Sequence, residues 1–134
     1  MFNHIGTVCL FVEDQDRAKS FYTNVLGMEV QQDMALFPGA PNRWLSVKPH
    51  GATTAVILYK IDKNWEHYSA VVGKSQAVTF DVSNIIALIA ELKTKGVTVV
   101  VEPDVQPWGT NAMIKDSEGN TLLLVEAPPS AKVP

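Results

Sequence analysis

The 134-residue sequence contains a single cysteine, Cys9. This excludes an intrachain disulfide and argues against a site built from several thiolates. Basic runs are missing as well. Lys and Arg total 11 against 14 Asp and Glu, for a formal net charge of −3, and they gather in no stripe. Nucleic acid and anionic membrane surfaces are therefore poor partners. Long apolar runs are also scarce. The stretch MFNHIGTVCLFVEDQD has no positively charged start, and its apolar run stops at Glu13 and Asp14. It fits neither a secretory signal nor a membrane span. A reducing cytoplasm is the compartment such a composition suits.

Apolar residues make up 46% and charged residues 19%. A chain of this length buries roughly 68% of its unfolded surface, enough for a core without staples. One domain is expected over residues 1–127. The tail PPSAKVP, 128–134, has two adjacent prolines and little to bury, so it reads as a frayed end.

Within the domain, IGTVCLFV reads as a buried strand. Asp14 or Asp16 can cap the helix that follows. Ala18, Phe21, Tyr22, Val25 and Leu26 give that helix one apolar face, and Gly27 stands where a left-handed closing residue is wanted. MEVQQD, RWLSVKP and TTAVILYK read as three further strands. The segment IDKNWEHYSAVVGKS is less periodic and reads as a bridge. The same order then recurs. QAVTFDV is a strand, and Asn84 is the expected cap of a helix with the stripe Ile85, Leu88, Ile89 and Leu92. Gly96 closes that helix, and VTVVVEP, PWGTNAMIKD and NTLLLVE supply three strands. Val12 matches Val82 at an offset of 70, Gly27 matches Gly96 at 69, and Gly51 matches Gly119 at 68. A near-constant offset between like features is the mark of an internal duplication. The expected modules span about 1–62 and 74–127, with the bridge at 63–73.

VEDQDRAKSFYTNVLGMEV, 12–30, and EPDVQPWGTNAMIKDSEGNTLLLVE, 102–126, resemble the opening and closing segments of the vicinal oxygen chelate superfamily. That superfamily comprises glyoxalase I, bleomycin-resistance proteins, fosfomycin-resistance thiol transferases and extradiol dioxygenases. The PWG triplet and the D-x-x-G-N turn carry much of the match. The resemblance implies an α+β fold of two tandem βαβββ modules forming one cupped mixed sheet, and a homodimer. It also implies where a divalent metal would sit. A His is expected seven residues before Asp14, a second three before Phe80, and a carboxylate four after Gly119. Those positions hold Thr7, Ala77 and Leu123, and none supplies the imidazole nitrogen or carboxylate oxygen that Zn²⁺, Mn²⁺ or Fe²⁺ would need. His4 and Glu126 lie an odd number of residues from Thr7 and Leu123, so alternation turns them to the other face. His50 falls in a turn, and Glu66 and His67 fall in the bridge. No metal and no cofactor is therefore expected.

Parity predicts the lining of the cup. Thr7, Cys9 and Phe11 share one face of the first strand, Ala77, Thr79 and Asp81 one face of the fifth, and Thr121, Leu123 and Val125 one face of the last. Such a wall, mostly apolar with a few hydroxyls, suits a small molecule. Trp44 and Trp108 are the candidates for a stacking wall. The competing role is filling the core or a dimer seam, which suits Trp44 more, while a similar PWG in bleomycin-resistance proteins carries a ligand-contacting tryptophan. Trp65 and Tyr68 are expected to pack the modules together. Cys9 suits packing better than nucleophilic attack. Asp81 suits a strand end, and Arg43 a solvated edge. The functional expectation is a metal-independent protein that sequesters a small molecule. The alternative is a metal-dependent lyase, thiol transferase or dioxygenase with atypical ligands.

Overall fold

The first apolar run folds as strand β1, Thr7–Val12, in a computed structural model that describes residues 1–74 and 78–129. Asp14 has an extended backbone, and its carboxylate accepts a hydrogen bond from the Arg17 N–H at 3.0 Å, capping helix α1, Gln15–Ser20. The helix then widens into a π-helical turn, Phe21–Val25, in which the Leu26 N–H reaches the Phe21 carbonyl. The Thr23 hydroxyl donates to the Lys19 carbonyl beside this turn, a side-chain competitor for the helical ladder. The expected apolar face is re-aimed as a result. Ala18 and Tyr22 are fully buried, whereas Phe21, Val25 and Leu26 are only half-buried.

Strands β2 (Glu29–Ala35), β3 (Arg43–Lys48) and β4 (Ala55–Lys60) complete the first module. The sheet order is β1-β4-β3-β2, with β1 parallel to β4 and the remaining pairs antiparallel. Gln15 fixes the helix to this sheet. Its Nε2 donates to the carbonyls of Arg43 and Leu58 at 2.9 Å, and its Oε1 accepts from the Arg43 N–H at 3.1 Å. The side chain thus serves as a rung where β3 and β4 diverge. Losing it would strand three backbone groups, at a cost on the order of 3 kcal/mol.

The second module repeats the first element for element. It comprises β5 (Val78–Asp81), α2 (Ile85–Thr94), β6 (Val99–Gln106), β7 (Gly109–Lys115) and β8 (Thr121–Glu126). Its sheet order is β5-β8-β7-β6, again with only the first pair parallel. The glycine pairs named above are structural equivalents. Gly27 and Gly96 follow the helical segments with φ of 73° and 80°, and Gly51 and Gly119 turn between third and fourth strands with φ of 78° and 93°. Glycine, with no Cβ, takes such angles freely. Two α+β βαβββ modules are thus the fold, as expected.

Several local expectations change. Asn84 occupies the start of α2 in a left-handed conformation, and its side chain makes no capping bond. The Glu126 carboxylate caps instead, accepting from the Asn84 N–H at 2.9 Å and the Ile85 N–H at 3.2 Å. A negative group there also suits the positive end of the helix. Strand β6 runs on through Pro103 to Gln106. It lies at the sheet edge, where a missing N–H is tolerated, and its register shifts on the way. Pro107 and Trp108 therefore form the turn to β7 rather than part of a strand. The bridge folds as a 3₁₀ helix, Lys63–Val71, that groups with the first module in a compact unit, Met1–Ser75. Trp65 and Tyr68, expected to join the modules, lie against Phe11 of the first. The second unit is Gln76–Pro134. Ala77 and residues 130–134 of the expected tail lie outside the described residues.

In the second module Ile85, Ile89 and Leu92 of α2 bury the helix-side residues of its sheet, Ala112, Ile114, Leu122 and Leu124. No helix among the described residues is long and apolar enough to cross a membrane.

Candidate functional site

Strands β1 and β4 run in step, pairing Thr7 with Ala55, Cys9 with Ile57 and Phe11 with Tyr59. Ser46 of β3 pairs with Ile57. Alternation sends Leu10, Val12, Leu58, Leu45 and Val47 to the helix side, where they are fully or almost fully buried. The opposite face forms a concavity of about 150 Å³, lined by Thr7, Cys9 and Phe11 from β1, Trp44 from β3, Ile57 and Tyr59 from β4, and Trp65 from the bridge. Phe11, Ile57 and Tyr59 form its buried floor, backed by Ile61 and Val72.

The bridge builds one wall by aromatic packing. Tyr68 stacks on Phe11 with ring centroids 5.2 Å apart and planes inclined by 24°. Trp65 lies 6.5 Å from Phe11 and 5.8 Å from Tyr68. His67 packs on Tyr68 at 4.5 Å. Such offset and tilted pairs are the favoured arrangements of aromatic rings. The Gly73 N–H, donating to the Phe11 carbonyl, ties the end of the bridge back to β1.

The polar groups of the concavity are few and held protonated. The Tyr59 hydroxyl donates to Asp62 Oδ2 at 2.6 Å. Burial, aided by this acceptor, pushes it from the ordinary 10.0 up to about 12. Cys9 is reachable from solvent, but apolar neighbours crowd its sulfur, and this desolvation raises the thiol from 9.0 to about 11. A thiol held that high is a poor nucleophile at neutral pH. Both shifts favour the neutral forms in the folded chain. The stability they contribute is whole below pH 9 and is lost as the pH rises through 11 and 12. Iodoacetamide labelling of the folded protein should therefore rise with pH to a midpoint near 11. A midpoint near 9 would mean that the sulfur lies in water.

Arg43, next to Trp44 in sequence, bonds Asp33 at 2.7 Å and Asp16 at 2.9 Å. It is committed to these carboxylates rather than to the concavity. In the second module, Thr79 and Leu123 are direct partners across the β5–β8 pair, and Asp81 pairs with Val125. Thr79 and Asp81 are exposed, and Leu123 is half-buried. Trp108 stands in the β6–β7 turn with 59% of its surface exposed. The first module therefore gathers Thr7, Cys9, Phe11 and Trp44, while Thr79 and Leu123 are neighbours in the second.

The donor chemistry at the positions implied for a metal does not fit one. Thr7 offers a hydroxyl and Leu123 a hydrocarbon, whereas a divalent ion needs imidazole or carboxylate ligands. Among the described residues, no three His, Cys, Asp or Glu side chains come together. Three of the atypical candidates are engaged elsewhere. Glu126 caps α2, His50 lies 3.0 Å from Glu29 at the surface, and His67 is packed on Tyr68.

Ile57, Tyr59 and Trp65 escaped the sequence reading as lining residues. For the first two a signal existed: if β4 runs parallel to β1 in step, alternate residues of AVILY must face the same way as Cys9 and Phe11. Trp65 sits in a segment without periodicity, and nothing local pointed it at β1.

A pair of βαβββ modules, one presenting an aromatic-walled concavity on its open sheet face, defines a scaffold of the vicinal oxygen chelate type. The chain belongs to the Glyoxalase/Bleomycin resistance protein/Dioxygenase superfamily, whose profile matches residues 2–124. It is similar to the uncharacterized protein YetH of Bacillus subtilis (strain 168), with 36% identity over 128 residues, covering 94% of this chain and 100% of that one. Among solved structures it is similar to TnmS3, an antibiotic binding protein from Streptomyces sp. CB03234, at a TM-score of 0.80 and 30% identity, covering 95% and 98% of the two chains. UcmS2 is similar at a TM-score of 0.78 and 32% identity, covering 93% and 98%.

Proposed function

We propose that this chain is a metal-independent binding protein that holds a small, flat, partly apolar molecule against the sheet of its first module. The observation that carries this reading is the concavity bounded by Phe11, Trp44, Tyr59 and Trp65. Rings on several sides favour a planar guest, because stacked and edge-on contacts add to the gain from burying apolar area. At about 150 Å³ it suits one or two fused rings, since a cavity of that size accepts benzene. The remainder of a larger molecule would project from the open mouth.

Its chemistry suits holding rather than turning over. Cys9 and Tyr59 keep their protons at neutral pH, so neither is an activated nucleophile or base. Similarity to an antibiotic binding protein supports the same class of role. A homodimer, as in much of the superfamily, is the assembly we favour.

Equilibrium dialysis against fused two-ring aromatics tests this reading. Trp44→Ala and Trp65→Ala should each weaken binding about tenfold or more, through lost stacking and burial. Exposed Trp108→Ala should leave it unchanged. Binding that survives both pocket substitutions but fails in Trp108→Ala would place the guest elsewhere.

A further inference from the structure

We infer that the guest of the first-module concavity is a planar organic cation, recognised by the aromatic rings around it and by a carboxylate bound to the hydroxyl of one of them. This rests on reading the concavity as a binding site. Phe11, Trp44, Tyr59 and Trp65 reach it from four separate segments. An aromatic ring is negative over its face, so several rings around one space favour a cation there. The effect is strongest for delocalised or quaternary cations, whose hydration is weak enough to surrender.

The polar groups point the same way. The Tyr59 proton is directed at Asp62 Oδ2, 2.6 Å away. What the Tyr59 oxygen retains for a guest is its lone pairs, and the Asp62 carboxylate places negative charge beside that hydroxyl, at the rim of the ring. Among the described residues, the lining includes no Lys, Arg or His. Two basic residues adjoin lining positions in sequence: Arg43 is bound to Asp16 and Asp33, and Lys60, exposed at the end of β4 next to Tyr59, is turned to the other face by alternation. An anionic guest would leave its hydration shell without a counter-charge. A neutral planar guest would gain burial and stacking, whereas a cationic one adds attraction to the rings' negative faces and to the carboxylate.

The test uses three probes of one shape by equilibrium dialysis against the full chain: N-methylquinolinium, its uncharged isostere 1-methylnaphthalene, and the anion 1-naphthoate. N-methylquinolinium should bind at least about tenfold more tightly than 1-methylnaphthalene, and 1-naphthoate most weakly. In Asp62→Asn, which can still accept the Tyr59 hydrogen bond, the preference for the cation over the neutral probe should fall severalfold. Because the ratio is taken within one variant, a general loss of stability leaves it unmoved. If 1-methylnaphthalene or 1-naphthoate binds as tightly as the cation, and Trp44→Ala abolishes that binding, the concavity is a site but its guest is not cationic. An unchanged ratio in Asp62→Asn removes the carboxylate from the account and overturns the inference as stated. If none of the three binds, the reading of the concavity as an aromatic site fails, and this inference with it.

Discussion

Asp116→Ala should lower the unfolding free energy by about 3 to 5 kcal/mol, one of the largest losses open to a single substitution here. The Asp116 side chain organises the whole D-x-x-G-N turn. One of its oxygens accepts from the backbone N–H groups of Glu118 and Asn120, both at 2.8 Å, and the other from the Asn120 side-chain amide at 3.1 Å. Asp116 is 6% exposed and Asn120 fully buried. Truncation would leave several donors without acceptors in a site that water cannot enter freely. The turn delivers the chain into β8, which carries Leu122 and Leu124 beneath α2 and ends in the Glu126 cap, so the damage should spread through the second module. Urea unfolding at neutral pH measures it. Asp116→Asn, which keeps one acceptor oxygen, should recover part of the loss. A loss below about 1 kcal/mol in Asp116→Ala would mean that the backbone of the turn holds without its anchor.

Gly109→Ala should cost about 3 kcal/mol or more, for two reasons that compound. Its φ of 145° is one that side-chain-bearing residues rarely adopt, and an added Cβ would stand 2.7 Å from the backbone oxygen of Glu126. That oxygen belongs to β8, the central partner of β7, so relief requires moving one strand away from another. Gly6→Ala is the matched control. A Cβ there meets nothing within 4 Å, and the residue is exposed, so its change should stay within about 0.5 kcal/mol. Equal effects at the two positions would contradict the strand spacing at Gly109.

The contrast between these glycines shows what was legible in the sequence. Gly27, Gly51, Gly96 and Gly119 were readable because each follows a periodic segment whose end demands a turn, and their recurrence exposed the duplication. The crowding at Gly109 was not readable, because it depends on which strand lies alongside. The same division runs through the site. Alternation along a single strand placed Thr7, Cys9 and Phe11 together, and it needs only the two-residue period of a strand. Ile57 and Tyr59 require the pairing of β1 with β4, more than forty residues apart. Trp65 requires the bridge to fold back on Phe11, a tertiary contact with no local signature. The cap of α2 falls to Glu126 instead of Asn84 for a related reason. Asn is a good capping residue in isolation, but Glu126 arrives from another strand with a full charge and takes both donors.

The departure of Thr7 and Leu123 from the metal-binding pattern is the feature of the sequence on which the proposed metal independence rests. Fold alone does not decide between holding a molecule and transforming it. The side chains at the positions implied for a metal, a hydroxyl at Thr7 and a hydrocarbon at Leu123, are the ground on which we propose holding.

The most direct measurement of metal-independent binding is a calorimetric titration with N-methylquinolinium and 1-methylnaphthalene, run on protein purified without chelator and again after dialysis against EDTA, with metal content determined on both samples. The account predicts substoichiometric metal in both samples and the same affinities before and after chelation. Stoichiometric metal, together with binding that vanishes on chelation and returns with Zn²⁺ or Mn²⁺, would contradict it.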